Sequence, residues 1–153
     1  CRDSAIGVAT SNSPGPGNWY DHGAVIETGT GNGSDIYPYT KSNAIDPSTL
    51  VTPDGHAYLT YGSYWNGIFQ IPLSNDLLSP ASTTEPDARQ LAWEPDSLGM
   101  PNRMANNICG DPSGPHPIEG AYISYNDGWY YLWFSHGFCC NLKEDNLPPA
   151  GQE

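Results

Sequence analysis

At 153 residues the chain is long enough for one domain with a moderate core, since domains commonly run to about 100–150 residues. Seventeen acidic residues against five Lys plus Arg give a net charge of −12, which repels phosphate backbones and anionic membranes; nucleic-acid and membrane partners are excluded and a neutral one fits. Ten Tyr, five Trp and abundant Gly and Pro describe a secreted, extracellular, turn-rich β protein, and no apolar run approaches the roughly 20 residues of a membrane helix.

The chain begins with no basic-then-apolar leader, entering the strand-like "SAIGVATS" almost at once. "SPGPGN" breaks that strand before a second, "WYDHGAVI". The polar Gly/Ser loop "ETGTGNGSDIYPYTKS" then leads to "STLVTP" and "HAYLTYGSYW", which flank Asp54-Gly55 as an antiparallel pair, and "GIFQIPL" supplies the next strand. Ser74 to Pro115 is polar and Pro-rich and reads as an elaborated connection with weak helical character. A further hairpin follows, "GAYISY" and "WYYLWFS" around Asp127-Gly128. The closing "KEDNLPPAGQE" is a polar loop, and both ends are expected to be cuts through a larger protein.

Two of these units share one grammar. Ile45-Asp46 and Ile118-Glu119 each precede an Asp-Gly by the same spacing, Asp54-Gly55 and Asp127-Gly128, and a Tyr-Leu pair then enters an aromatic strand. Repeated antiparallel units joined by unequal connections point to an all-β fold, with propeller blades favoured over a sandwich. In a propeller the innermost strands start near the axis, so acids at matching strand entries converge on one shallow central pit. Two carboxylates around a neutral polysaccharide can divide acid and base work. Glu119 lies among small and apolar neighbours, which favour a retained proton and suit a general acid. Asp46, between Asn43 and Pro47, has a more polar setting that suits an ionised, orienting role.

Plainer readings stand beside these. Asp-Pro is a common turn opener, a strand-edge Glu is usually solvated, and Trp65 can be a core residue as readily as a stacking platform for a sugar ring. His116 and His136 read as structural, Asp111-Pro112 as a turn, and no Ser-His-Asp set is present. Cys1, Cys109, Cys139 and Cys140 lack zinc-site spacing and suit disulfides; the adjacent pair allows a vicinal bridge or two reduced core thiols. Asn32-Gly33-Ser34 is either a glycosylation acceptor or an ordinary turn.

"DSAIGVATS", "NAIDP", "YGSYWNGI", "HPIEGAY" and "YYLWFSHGFCC" together resemble, in order, the motifs of endo-1,5-α-L-arabinanases of glycoside hydrolase family 43. The resemblance covers nearly the whole chain. It implies a five-bladed β-propeller that cleaves arabinan with inversion, of which residues 1–153 form a partial catalytic domain, the middle blades. Glu119 matches the proton donor, and Asp46 the acid that tunes the donor and orients substrate. Asn43, Ala44, Ile45, Ser63, Tyr64 and Trp65 match segments lining the substrate groove. The general base is expected upstream of this chain. The chemistry needs no cofactor, although a structural calcium can sit at the propeller axis, its His ligand beyond Glu153. The segment containing "EPDARQLAWEPDSLGMPNRMANNICG" reads as an insertion placed to reshape the groove.

The implied substrate is arabinan or its oligosaccharides, the other partner is the remainder of the same polypeptide, and the complete protein is expected to be a monomer. Alternatives are an exo-acting arabinofuranosidase or xylosidase of the same family, a non-catalytic carbohydrate-binding propeller, or a purely structural fragment. The isolated segment is expected to be inactive and poorly folded.

Overall fold

The computed structural model describes residues 4–29, 31, 33–95 and 116–137. The four cysteines, Asn32 and Asp111-Pro112 lie outside the described residues. Those residues form eight strands and no α-helix: β1 (Ala5–Thr10), β2 (Tyr20–Glu27), β3 (Ser48–Val51), β4 (Ala57–Tyr61), β5 (Ile68–Pro72), β6 (Arg89–Ala92), β7 (Ile118–Asn126) and β8 (Trp129–His136). All pairings are antiparallel, in three sheets ordered β1-β2, β3-β4-β5-β6 and β7-β8. The architecture is all-β, and the described residues do not close a ring.

The connection expected from Ser74 onward contains a strand. β6 pairs with β5, Phe69 opposite Gln90 and Gln70 opposite Arg89, and completes a four-stranded sheet. Its sequence, Arg-Gln-Leu-Ala, escaped notice because an outer strand needs few apolar residues; Arg89, Gln90 and Leu91 are all exposed.

The central strands β4 and β5 are buried on both faces, which explains why β5 reads almost continuously apolar. On one face Leu59 and Tyr61 of β4 and Phe69 and Ile71 of β5 pack with Ile6 and Ile26, themselves paired across β1-β2, and with Tyr39 and Ala44. On the other, Ile68 packs with Ile118 and Ala121 of β7, flanked by Leu132 of β8. Burying each such side chain stabilises by roughly 1.5–3 kcal/mol, so the sheets hold together chiefly by face-to-face contact. A cavity of about 480 Å³ lies between the second pair of sheets, lined by Leu50, Tyr58, Gln70, Leu91, Ile123 and Leu132 among others; it contains neither Asp46 nor Glu119.

The matched spacing of the two units hides different geometry. After β3, Thr52 pairs with His56 and leaves the three-residue loop Pro53-Asp54-Gly55, with Gly55 left-handed at φ 88°. After β7, Asn126 faces Trp129 across a two-residue turn in which Asp127 and Gly128 have φ 48° and 86°, the type I′ signature. The second loop is one residue shorter, and β7 restores the count with a bulge between Glu119 and Tyr122. Glu119 therefore lies within β7, opposite Ser135, whereas Asp46 precedes β3; the expectation that both acids stand just ahead of their strands holds for Asp46 alone.

Candidate active site

Asp46 ends the segment that climbs out of the core toward β3. Ile45 accepts the Gly62 N–H through its carbonyl at 3.0 Å, continuing the β3-β4 ladder beyond Ser48 and anchoring the chain immediately before the acid. Asp46 itself adopts φ 55°, a left-handed conformation that Asp tolerates better than most residues.

Glu119 is positioned by the bulge. Gly120, at φ 66°, takes the left-handed bend that lets β7 carry an extra residue, and bulges of this kind re-aim a neighbouring side chain. The turned backbone presents the Gly120 N–H to Asp46 Oδ2 at 3.1 Å, so the acids of two different sheets are tied through one peptide group. Ser63 Oγ donates to Glu119 Oε2 at 3.0 Å, and the next residue, Tyr64, donates its N–H to the Ile118 carbonyl at 2.8 Å. Exit of β4 and start of β7 are thus joined by a side-chain and a backbone bond at adjacent positions.

The turn after β4 is tightly closed. Tyr64 and Trp65 have φ 57° and 39°, and Gly67 donates to the Tyr64 carbonyl at 2.7 Å. Consecutive left-handed residues other than glycine cost about 1–3 kcal/mol each and persist only where surrounding structure enforces them. The enforcement is close packing: a Cβ on Gly62 would lie 2.2 Å from the Gly67 carbonyl oxygen, and one on Gly67 would lie 2.2 Å from that of Ala92.

The family profile of glycosyl hydrolases family 43 matches residues 1–146. The chain belongs to that family. It is 56% identical over its full length to a probable arabinan endo-1,5-α-L-arabinosidase B of Aspergillus fumigatus, of which it covers 41%. It thus spans about two fifths of the length of these curated relatives. Among solved structures, the GH43 endo-arabinanase from Bacillus licheniformis superposes with a TM-score of 0.65 at 30% identity, over 91% of this chain and 38% of that one. An exo-1,5-α-L-arabinanase from a bovine ruminal metagenomic library gives the same TM-score at 29% identity, over 92% of this chain and 40% of its own.

Within this glycosyl hydrolase family 43 chain, the residues singled out from sequence fall into two groups. Ile45, Asp46, Tyr64, Trp65 and Glu119 are half-buried and border the point where the sheets meet. Trp65 lies outside both core clusters, its ring 6.0 Å from that of Tyr64. Asn43, Ala44 and Ser63 are buried at 7%, 0% and 4% exposure. Ala44 belongs to the core and its side chain has no surface to offer a substrate, while its N–H donates to Thr28 Oγ1 at 3.2 Å. Ser63 meets Glu119 rather than facing outward. His116 is buried against Trp93, ring centres 4.9 Å apart, and exposed His136 bonds Glu94 Oε2 at 2.7 Å.

Two participants were missed from sequence. The Gly120 N–H links the acids, and a glycine directly after a strand-entry Glu was its only signal. Trp93 donates its indole N–H to the Trp65 carbonyl at 2.7 Å, and nothing local in the sequence distinguishes it.

Proposed function

We propose that the protein to which this chain belongs hydrolyses internal α-1,5-linked L-arabinofuranosyl bonds of arabinan, with inversion, in a five-bladed β-propeller whose middle blades are these sheets. The single observation that carries the reading is the bond from the Gly120 N–H, on the residue after Glu119 in β7, to Asp46 Oδ2 ahead of β3, which brings the chain segments bearing the two acids together. Glu119, steadied through Oε2 by Ser63, serves as the proton donor to the departing sugar oxygen. Asp46, fixed by the Gly120 N–H, orients substrate and sets the field around that donor. The general base belongs to another part of the polypeptide, and inversion requires it to activate a water on the opposite face of the sugar.

Trp65 and Tyr64 are the aromatic surfaces on which a furanose ring stacks, by the same physics that makes exposed aromatics common in sugar sites. The four-stranded β3–β6 unit, whose central strands β4 and β5 are covered on both faces by neighbouring elements, supports the propeller reading, because blades are four-stranded sheets packed face to face. Among the described residues no His, Cys, Asp and Glu group of three or more has the arrangement of a cation site. Secretion, suggested by composition, belongs to the same proposal.

An exo-acting relative of similar structure makes chain-end cleavage the second reading. The test uses the full-length protein on linear debranched arabinan. A rapid fall in viscosity with release of mixed oligosaccharides supports endo cleavage; arabinose or one short product from the first minutes supports exo action. Binding without any product would support a carbohydrate-binding propeller instead.

A further inference from the structure

We propose that Trp93 is a positioning residue that sets the Ser63–Trp65 turn for substrate, a role resting on the arabinan-cleaving reading above. The turn holds two left-handed non-glycine residues in succession, Tyr64 and Trp65, and such a conformation needs external restraint. Restraint comes from the exit of β6. Trp93 Nε1–H donates to the Trp65 carbonyl at 2.7 Å, which fixes the peptide immediately following the Trp65 side chain. Gln90 Nε2–H donates to the Asn66 carbonyl, also at 2.7 Å, one peptide further on. The Ala92 backbone fills the space that a side chain at Gly67 would occupy. Three successive residues of the turn are therefore held by one short outer strand and its exit.

Trp93 is in turn held from the other side. Its ring lies 4.9 Å from that of buried His116, just ahead of β7, and the following residue, Glu94, bonds His136 at the end of β8. His136 pairs with Ile118, the residue before Glu119. The β6 exit thus touches the turn that carries Ser63 and Trp65, and both strands that frame Glu119. A side chain that only filled core would not place its single polar atom on the Trp65 carbonyl while leaving 45% of its surface exposed. The geometry assigns Trp93 the task of keeping the Trp65 platform and the Ser63–Glu119 bond in register.

The test is Trp93→Phe in the full-length protein, which keeps an aromatic ring against His116 but removes the N–H donor. Two readouts are needed, one independent of substrate. Hydrogen exchange should accelerate in the peptide containing Tyr64 to Gly67, whose amides close the turn and bond Ile118, while core strands β4 and β5 keep their protection. On debranched arabinan KM should rise roughly three- to tenfold, the range for losing one neutral hydrogen bond, with a smaller change in kcat. Unchanged exchange in the turn overturns the proposal. So does a loosened turn with unchanged KM, because Trp93 would then only support the fold. A wild-type protein that does not act on arabinan sinks the functional reading alone, and the exchange comparison still decides whether Trp93 holds the turn. Trp93→Ala, which also removes the ring from His116, should lower the melting temperature further than Trp93→Phe; equal KM values for both variants place the effect in the N–H, as proposed.

Discussion

The Asp46 carboxylate accepts the backbone N–H of Gly120 at 3.1 Å, so the acid ahead of β3 is tied to the residue that follows Glu119 in β7. The contact crosses from β7 to the segment ahead of β3 at the β7 bulge, on the side of β7 where the Ile118 carbonyl meets the Tyr64 N–H. Two acids with separate tasks should answer differently to substitution. Glu119→Gln in the full-length protein should nearly abolish hydrolysis of arabinan, whose leaving alcohol needs a proton, and spare much more of the rate on an aryl arabinoside, whose phenolate leaves unaided. Asp46→Asn should depress both substrates together. The measurement is kcat/KM for both, with folding checked by circular dichroism; leaving-group dependence in Asp46→Asn rather than Glu119→Gln would reverse the roles.

Ser63 should behave as a holder of Glu119 and not as a substrate contact. Glu119 gains its negative charge as it gives up the proton in the transition state, and hydrogen bonds to charged groups are worth about 1.5–3 kcal/mol, so Ser63→Ala should lower kcat by roughly 10- to 100-fold with KM little changed. The opposite split, a raised KM with kcat intact, would show that the hydroxyl binds sugar after all.

Gly67 should tolerate no side chain. Its φ is 74°, and an added methyl would meet the Ala92 carbonyl oxygen at 2.2 Å, a backbone atom that cannot step aside without opening the β5-β6 pairing. Gly67→Ala should cost about 2–4 kcal/mol, read as a lower urea midpoint with unchanged slope. Gly55→Ala, at a similar φ but with nothing near its Cβ, should cost less and serves as the control; equal losses would mean that backbone conformation alone explains both.

Alkaline stability should depend on two buried tyrosines. Burial pushes the Tyr39 phenol from 10.0 up to about 12, and drives Tyr61 above the usual range despite its bond to Ser42. The folded form keeps these protons while the unfolded chain releases them, so their contribution is fully present below about pH 10 and is lost as pH rises through the folded values. Unfolding midpoints measured from pH 8 to 12 should fall on the alkaline side, and Tyr39→Phe should flatten the part of the fall that begins near pH 10. A Tyr39→Phe profile parallel to wild type would show that this phenol titrates normally.

The elements legible in the sequence were those with strong local signals. β4, β5, β7 and β8 announced themselves by β-branched and aromatic runs, and Asp54-Gly55 and Asp127-Gly128 marked their turns because left-handed backbone there demands glycine. β6 did not, since an exposed outer strand is specified by the partner it pairs with rather than by its own residues.

By itself the sequence determined the all-β class, the two repeated units and the pair of acids, because period, turn chemistry and residue type are properties of short stretches. Tertiary structure alone decided what those acids and their neighbours do. An identical spacing hid a three-residue loop in one unit and a two-residue turn plus a bulge in the other, and the Gly120 N–H at that bulge meets Asp46. Ser63 turned inward to Glu119, Ala44 sank into the core, and Trp93 reached the Trp65 carbonyl from the exit of the outer strand β6. These outcomes depend on how faces of separate sheets pack, a long-range balance of burial and hydrogen bonding that no local window of residues contains.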